Sequence, residues 1–316
     1  MTGLMTTGRV PWQPGSLWQK LEAQTAHGLS VGALQSIETT VERVDDGDIH
    51  FCVYVLANLA RKEKARTQQG KTTPVNPFLP HEEDLYVTDI LETHLCLLNK
   101  FNVVDHHFLI VTRAFEPQEN WLTLADFEAL AYCLGEVDGL AFFNGGTLAG
   151  ASQPHKHLQV LPRLGEMATF PIEAIIRKGD VKQFVAAETV LASGANQLPS
   201  LPFRHAIALL AFEPNDVPRN AKKMAQQYLS QYRALLTAVG IDSENEWCDT
   251  QTAPYNLLCT RQWMMIVPRS QEKFAGISVN SLGFAGSLLV KNQQTLEALK
   301  AIGPVTLLEH VGYSRD

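Results

Sequence analysis

The run Gly150-Ala151-Ser152-Gln153-Pro154-His155-Lys156-His157-Leu158-Gln159 holds the residues of this chain best suited to chemistry. Lys156 to Leu161 suits a β-strand. On a strand alternate side chains share a face, so His155, His157 and Gln159 stand together while Leu158 and Val160 turn to a core. On a helix the three polar groups would scatter, because residues two apart do not face each other. Three readings fit. One is a solvated polar face. Another is a metal site, since alternating neutral imidazoles have metal-ligand spacing, although Gln159 is a poor ligand and more donors would be needed. In the third, one histidine attacks phosphorus and forms a covalent phosphoramidate that a second acceptor resolves. The Gly-rich approach favours this one, as exposed backbone N–H groups cradle phosphate oxygens.

The same residues resemble the active-site signature of the ATP adenylyltransferases, or diadenosine tetraphosphate phosphorylases, a branch of the histidine-triad superfamily. Three alternating histidines mark the wider superfamily, and in the transferase branches a glutamine replaces the third, as Gln159 does here. A third histidine can serve the acid/base steps of hydrolysis, whereas an amide only hydrogen-bonds the phosphoryl group and leaves the intermediate for a phosphate to attack. The resemblance runs from about Ile49 to Lys291. It implies His157 as nucleophile, with His155 and Gln159 orienting it and holding phosphoryl oxygens. It implies substrate contacts from Gly150, Ala151, Ser152 and Gln153, from Asn144, and from Asn102 after Asn99-Lys100-Phe101. In the C-terminal part it implies Asn280, Ser281, Leu282, Ser287 and Lys291, with Ser287 standing where some relatives have Met. A lysine ahead of Asn76-Pro77-Phe78 should meet the polyphosphate, with Lys62 the best match and Lys64 the next. The implied partners are a dinucleoside polyphosphate, phosphate, ATP and ADP, and the implied cofactor is Mg²⁺ bound mainly by substrate phosphates. No protein metal ligand is assigned. A metal-dependent enzyme using the His-x-His pair and a non-catalytic dinucleotide-binding protein stand as the alternatives.

Around these residues the chain reads as strands and helices in an α+β order. Ser16 opens a helix from Leu17 to Ala26 that Gly28 can end. Ser36 to Val44 and Ile49 to Leu56 read as a hairpin around Asp45-Asp46-Gly47-Asp48. The basic and Pro-rich stretch from Arg61 to Pro80 reads as a surface segment. Leu95 to Asn102 and His107 to Arg113 form an antiparallel pair at the sheet's centre, and His106 and His107 have no assigned role. Thr123 with Asp126 resembles a capping box ahead of an amphipathic helix that ends before Gly139. Ala141-Phe142-Phe143 is a short strand, and Phe184 to Leu191 a plausible helix. After a linker-like stretch from Asn196 to Pro202 the grammar repeats: a strand from Phe203 to Phe212, a helix from Pro218 to Val239, and an apolar hairpin from Tyr255 to Arg269. The expected fold is histidine-triad-like α+β, with antiparallel sheets flanked by helices and two related halves. A catalytic domain over 1–200 would be completed by a C-terminal domain over 201–316.

Composition sets the outer bounds. With 45% hydrophobic and 19% charged residues the chain can bury a sizeable core. A net charge of −7 argues against a general nucleic-acid or anionic-membrane binder, so an anionic ligand must be met by local cations and backbone dipoles. Five cysteines without a Cys-x-x-Cys pair point to free thiols in a reducing compartment. With no apolar signal segment and no apolar run near a bilayer span, a cytoplasmic protein is expected.

Overall fold

The computed structural model describes residues 13–57, 76–178, 198–211, 217–241 and 249–315. Helix α1 (Leu17–Val31) starts where the Glu136 carboxylate accepts from the backbone of Gly15 at 2.7 Å and Leu17 at 2.6 Å. It runs past the stop expected at Gly28. That glycine is buried against Leu34, and the left-handed Gly32, at φ 75°, ends the helix instead. Strands β1 (Thr39–Asp46) and β2 (Ile49–Leu56) form the expected hairpin. β3 (Tyr86–Ile90), β4 (His94–Leu98) and β5 (Phe108–Thr112) follow as a meander.

Helix α2 (Leu124–Glu136) begins in the expected capping box of Thr123 and Asp126. β6 (Gly139–Gly145) is more than twice the length expected, and β7 (His157–Pro162) carries the histidine motif. Helix α3 (Ile172–Lys178) closes the first part, and the helix expected at Phe184 to Leu191 lies outside the described residues. β8 (Ala206–Leu209) is shorter than expected because Phe203 bridges to Ser314. Helix α4 (Val217–Ala238) and the hairpin β9 (Tyr255–Cys259) and β10 (Trp263–Pro268) match expectation. The short pair β11 (Lys273–Phe274) and β12 (Ile277–Ser278) precedes helix α5 (Ser281–Phe284), β13 (Ser287–Val290), α6 (Gln293–Ile302) and α7 (Pro304–Val311).

Eight strands make one antiparallel sheet in the order β3-β4-β5-β7-β6-β9-β10-β8. The β4–β5 hairpin flanks the central β7–β6 pair on one side and the β9–β10 hairpin on the other, so strands from both parts of the chain share one surface. A smaller sheet, β1-β2-β13, departs from the antiparallel expectation, because β13 runs parallel to β2. One face of the large sheet packs on α1, α2 and α4. The other packs on the small sheet, α6 and α7. β7 thus lies between two cores and is paired along both edges, which fixes the direction of every side chain on it. Cys52, Cys96, Cys133 and Cys259 are buried free thiols. No helix among the described residues is long and apolar enough to cross a membrane.

Candidate active site

Pairing places His157 opposite Val111 and Gln159 opposite Leu109 and Phe142. Leu158 and Val160 enter the helix-side core, so His157 and Gln159 share the other face. His157 is 5% exposed. Its Nδ1 lies 2.8 Å from the carbonyl oxygen of His155, which can only accept, so Nδ1 carries the hydrogen and Nε2 keeps its lone pair. Burial pushes its pKa down to about 4 against the pull of that carbonyl, with the neighbouring His155 adding to the fall. The result is an uncharged imidazole with one nucleophilic nitrogen at neutral pH.

His155 stands two residues ahead of the strand rather than on it, joined to Pro117 by an isolated bridge. Its Nε2–H reaches the carbonyls of Thr112 at 2.8 Å and Ala114 at 3.1 Å, and its Nδ1 accepts from Asn76 Nδ2 at 3.0 Å. Both ring nitrogens are spent, so His155 offers no lone pair to a metal. Its part is to aim its own carbonyl at His157. Asn76 brings Phe78 with it, and the Phe78 ring lies 5.3 Å from His157 and 5.6 Å from His155. Asn76-Pro77-Phe78 therefore closes over the two imidazoles. Lys62 and Lys64 lie outside the described residues.

Gln118 was invisible in the sequence, a lone amide in a loop. It is 1% exposed, accepts the His157 backbone N–H at 2.9 Å, and donates to the carbonyls of Asn144 at 2.9 Å and His157 at 3.3 Å. It ties the start of β7 to the end of β6. Beside Gln159 stands His107, and Asn99 Nδ2 lies 3.2 Å from His107 Nδ1. Asn102 lies in the turn between β4 and β5. It is buried, accepts from Ser36 Oγ at 2.9 Å and donates to the Val104 carbonyl at 3.0 Å, so its amide holds the β4–β5 turn.

The glycine-rich approach packs on the C-terminal part. Asn144 Oδ1 accepts from Ser281 N at 2.9 Å, Ser281 Oγ at 2.7 Å and Asn256 Nδ2 at 2.9 Å. Asn280 caps α5 by accepting from Leu282 N at 3.0 Å. Behind them Arg269, fully buried, donates to Asn256 Oδ1 at 2.6 Å and to the Ala149 carbonyl at 3.2 Å. Burial draws its pKa down to about 10, with Glu272 opposing. Neither Asn256 nor Arg269 gave a sequence signal, because each reads as one polar residue in an apolar hairpin. Ala151 and Gln153 are half-buried, while Ser152 and Lys291 are exposed. Ser287 is buried at the start of β13 opposite Cys52, its hydroxyl 3.7 Å from Met167 Sδ, and no hydrogen bond links it to His157.

Gly150 shows how tightly the two parts fit. It holds φ +89°, and a Cβ there would lie 2.8 Å from the Val279 carbonyl and 2.9 Å from Asn280 Cα. Gly150→Ala is expected to cost about 1–3 kcal/mol through backbone strain and to raise KM for the nucleotide by pushing Asn280 away. Thermal melting with KM measurement checks this. An unchanged KM would separate Gly150 from substrate binding.

Lys156 points to the opposite core, where its ammonium meets Glu116 Oε2 at 2.5 Å and Asp126 Oδ2 at 3.0 Å. Asp126 Oδ1 lies 3.0 Å from His94 Nε2. Burial pushes the Asp126 pKa up, but the His94 hydrogen bond and the Lys156 charge outweigh it and hold the group at about 2. The motif strand is thus clamped from beneath by a buried charge network.

A neutral buried histidine with a free Nε2, a neighbouring amide and a glycine-rich turn on one antiparallel sheet defines a nucleotidyl-transferring histidine fold. Comparison with known proteins gives the family. Residues 7–178 match the Ap4A phosphorylase N-terminal domain, and residues 199–314 match the ATP adenylyltransferase C-terminal domain. The chain belongs to the Ap4A phosphorylase family of adenylyltransferases. It is 29% identical over 273 residues to diadenosine 5',5'''-P1,P4-tetraphosphate phosphorylase 2 of Saccharomyces cerevisiae, covering 79% of this chain and 78% of that protein. It is 26% identical over 285 residues to protein APA1 of the same yeast, covering 85% and 84%. The crystal structure of yeast Ap4A phosphorylase Apa2 in complex with Ap4A superposes with a TM-score of 0.74 at 25% identity, covering 95% of this chain and 98% of that one. The Apa2 complex with AMP gives a TM-score of 0.69 at 25% identity, over 97% and 99%.

Proposed function

We propose that this chain performs reversible phosphorolysis of diadenosine tetraphosphate (Ap4A) to ATP and ADP, with AMP carried on Nε2 of His157. The observation that carries the proposal is the His157 imidazole, whose Nδ1–H is given to the His155 carbonyl while Nε2 stays unprotonated. In the first half, the Nε2 lone pair attacks an α-phosphorus. The P–O bond to the departing triphosphate breaks, and ATP leaves with that electron pair. In the second half, a phosphate oxygen attacks the same phosphorus, the P–N bond returns its pair to Nε2, and ADP leaves. The Nδ1–H bond to the His155 carbonyl stabilises the positive charge that the imidazole gains in the adenylyl-histidine.

In this reading Gln159, Ser152, Gln153 and the amides of Gly150 and Ala151 meet phosphoryl oxygens. Asn144, Asn280, Ser281 and Leu282 form the wall that receives the nucleotide, while Lys291 and Lys62 neutralise the polyphosphate. Asn102 holds the β4–β5 turn through its hydrogen bonds, and Ser287 is buried at the start of β13. Among the described residues no group of three or more His, Cys, Asp or Glu converges to hold a metal ion. Mg²⁺ bound mainly by the substrate phosphates belongs to this reading, and no step is routed through it.

The test is cleavage of Ap4A with and without phosphate, following ATP and ADP separately. Equal ATP and ADP that vanish when phosphate is withheld are expected. Two ADP per dinucleotide, or release independent of phosphate, would overturn the proposal.

A further inference from the structure

We infer that Arg269, acting through Asn256, is a positioning residue that holds the Asn144 amide with its NH₂ turned toward the bound nucleotide. The inference rests on the phosphorolysis reading, which places Asn144 in the nucleotide wall, and adds to it two residues of the C-terminal part that touch no substrate. Strand register brings the groups together. Phe142 pairs with Gln159, so Asn144, two residues on, shares its sheet face with Gln159 and His157. Gln118 bridges the Asn144 carbonyl and the His157 backbone, which sets these two residues side by side. On its other edge Asn144 pairs with Asn256 of β9, and Arg269 follows the end of β10.

The direction of each hydrogen bond follows from groups that can only donate or only accept. The Arg269 guanidinium only donates, so the Asn256 atom 2.6 Å from its Nη1 is the amide oxygen. Asn256 Nδ2 then meets the Ala149 carbonyl, which only accepts, at 2.8 Å, and gives its other hydrogen to Asn144 Oδ1 at 2.9 Å. The Ser281 backbone N–H, which only donates, reaches the same oxygen at 2.9 Å. A guanidinium and two backbone groups thus fix both amides. With its oxygen held by these donors, Asn144 has its NH₂ left to offer, and no described residue takes it.

Arg269 is fully buried, and among the described residues its hydrogen bonds all go to uncharged oxygens: Asn256 Oδ1 and the carbonyls of Ala149, Gln271, Glu272 and Val311. A cation held only by neutral groups is costly to bury where packing alone is needed. Here its charge strengthens the bond to Asn256. A chain of hydrogen bonds polarises each member in turn, so the NH₂ at the far end becomes the stronger donor. Such a donor suits the oxygens of an anionic nucleotide. Turned over, the Asn144 amide would set its oxygen against them and its NH₂ against the Ser281 N–H.

The test measures the dissociation constant of AMP by calorimetry, kcat and KM for Ap4A, and the melting temperature. The proteins are the parent, Asn256→Asp, Arg269→Lys, Arg269→Met, Asn144→Ala and the Asn144→Ala/Asn256→Asp double variant. Asn256→Asp keeps the size of the side chain and an acceptor for Arg269, but offers Asn144 only lone pairs, so the Asn144 amide turns over. AMP binding should weaken and KM rise by about 10–100-fold, the cost of facing like ends of a buried hydrogen bond, with kcat held within about threefold. Arg269→Lys, whose ammonium still donates to Asn256, should keep most of the AMP affinity that Arg269→Met loses. In the Asn144→Ala background Asn256→Asp should add nothing, because the amide it orients is gone. If Asn256→Asp does not fold, the two Arg269 variants carry the same comparison. Parental AMP affinity in Asn256→Asp or Arg269→Met, a loss that multiplies the Asn144→Ala loss, or Arg269→Lys as damaged as Arg269→Met at the parental melting temperature would overturn the role of Arg269 alone. A parent that binds no AMP and shows no phosphate-dependent turnover would overturn both this role and the reading beneath it.

Discussion

His157→Ala is expected to lower phosphate-dependent cleavage of Ap4A on the order of 10⁵-fold, as removal of a covalent nucleophile does elsewhere. The melting temperature should stay within a few degrees of the parent's. The size of the effect follows from what the side chain supplies. Every turnover passes through its Nε2, and among the described residues the neighbouring His155 does not stand ready to take its place, because both of its ring nitrogens are held by protein partners. The pH dependence sharpens the expectation. A fall from 6.5 to about 4 corresponds to roughly 3 kcal/mol of preference for the neutral ring. The nucleophile is therefore competent through the whole neutral range, and its acid limb in the free enzyme, read from kcat/KM, should lie near 4 rather than near 6.5. The same shift bears on stability. The folded chain binds fewer protons than the unfolded chain between these two values, so this histidine contributes a loss of stability as pH falls through that window. Ap4A radiolabelled at its α-phosphorus and offered without phosphate should leave labelled AMP on the parent as ATP departs, and should leave His157→Ala unlabelled. A labelled or fully active variant would remove His157 from the chemistry.

What the sequence shows of this site is its local part. His155, His157 and Gln159 alternate at strand spacing, Thr123 and Asp126 sit three apart at a helix start, and the hairpins announce themselves by apolar runs around short polar turns. Each of these is a pattern among near neighbours in the chain. The missing part is contact between segments far apart. Gln118 reaches His157 across 39 positions, Asn256 reaches Asn144 across 112, and Arg269 reaches Ala149 across 120. Periodicity carries no information at such separations. Asn99 and Asn102 make the same point at short range. Both stand in one polar turn of similar composition, yet Asn102 folds back on Val104 and Ser36 while Asn99 faces His107. The choice depends on which carbonyl or ring each amide meets, not on residue type. His155 left the strand for a related reason: its ring is buried among the carbonyls of Thr112 and Ala114, which a side chain on the regular strand face would not reach. The long α1 reflects tertiary packing over local signal, since Gly28 fits against Leu34 where a bulkier residue would crowd.

Lys156→Met is expected to destabilise the fold by about 3–5 kcal/mol, the penalty for leaving a buried partner charge without its counterpart. Lys156 and Asp126 are each 1% exposed, so solvent cannot replace the lost ammonium. The neighbours define what is lost. Asp126 also accepts from the backbone of Thr123 at 2.7 Å and faces His94 at 3.0 Å, so the charge it carries anchors the first turn of α2 as well as the strand beneath the motif. Exposed ion pairs are worth far less, and Lys100 with Glu82, at 33% and 49% exposure, serves as the control whose removal should cost under about 1 kcal/mol. Because the carboxyl is held at about 2, the folded chain binds fewer protons than the unfolded chain between about 4 and 2. That contribution is present at neutral pH and is lost as pH falls through the window. In Lys156→Met the Asp126 pKa should rise, so acid unfolding should begin at a higher pH than in the parent. The double variant Lys156→Met/Asp126→Asn should cost less than the sum of the two single changes, since neither leaves a lone charge once both are made. Urea unfolding at neutral pH, repeated at acid pH, measures all three quantities. A Lys156→Met cost no larger than that of the Lys100 control would mean that the strand is held by its pairing with β5 and β6 alone. The immediate neighbours of Lys156 make the expected result a catalytic matter too: a strand that loosens between His155 and His157 moves the carbonyl that sets the His157 hydrogen, and kcat should fall with stability while KM holds.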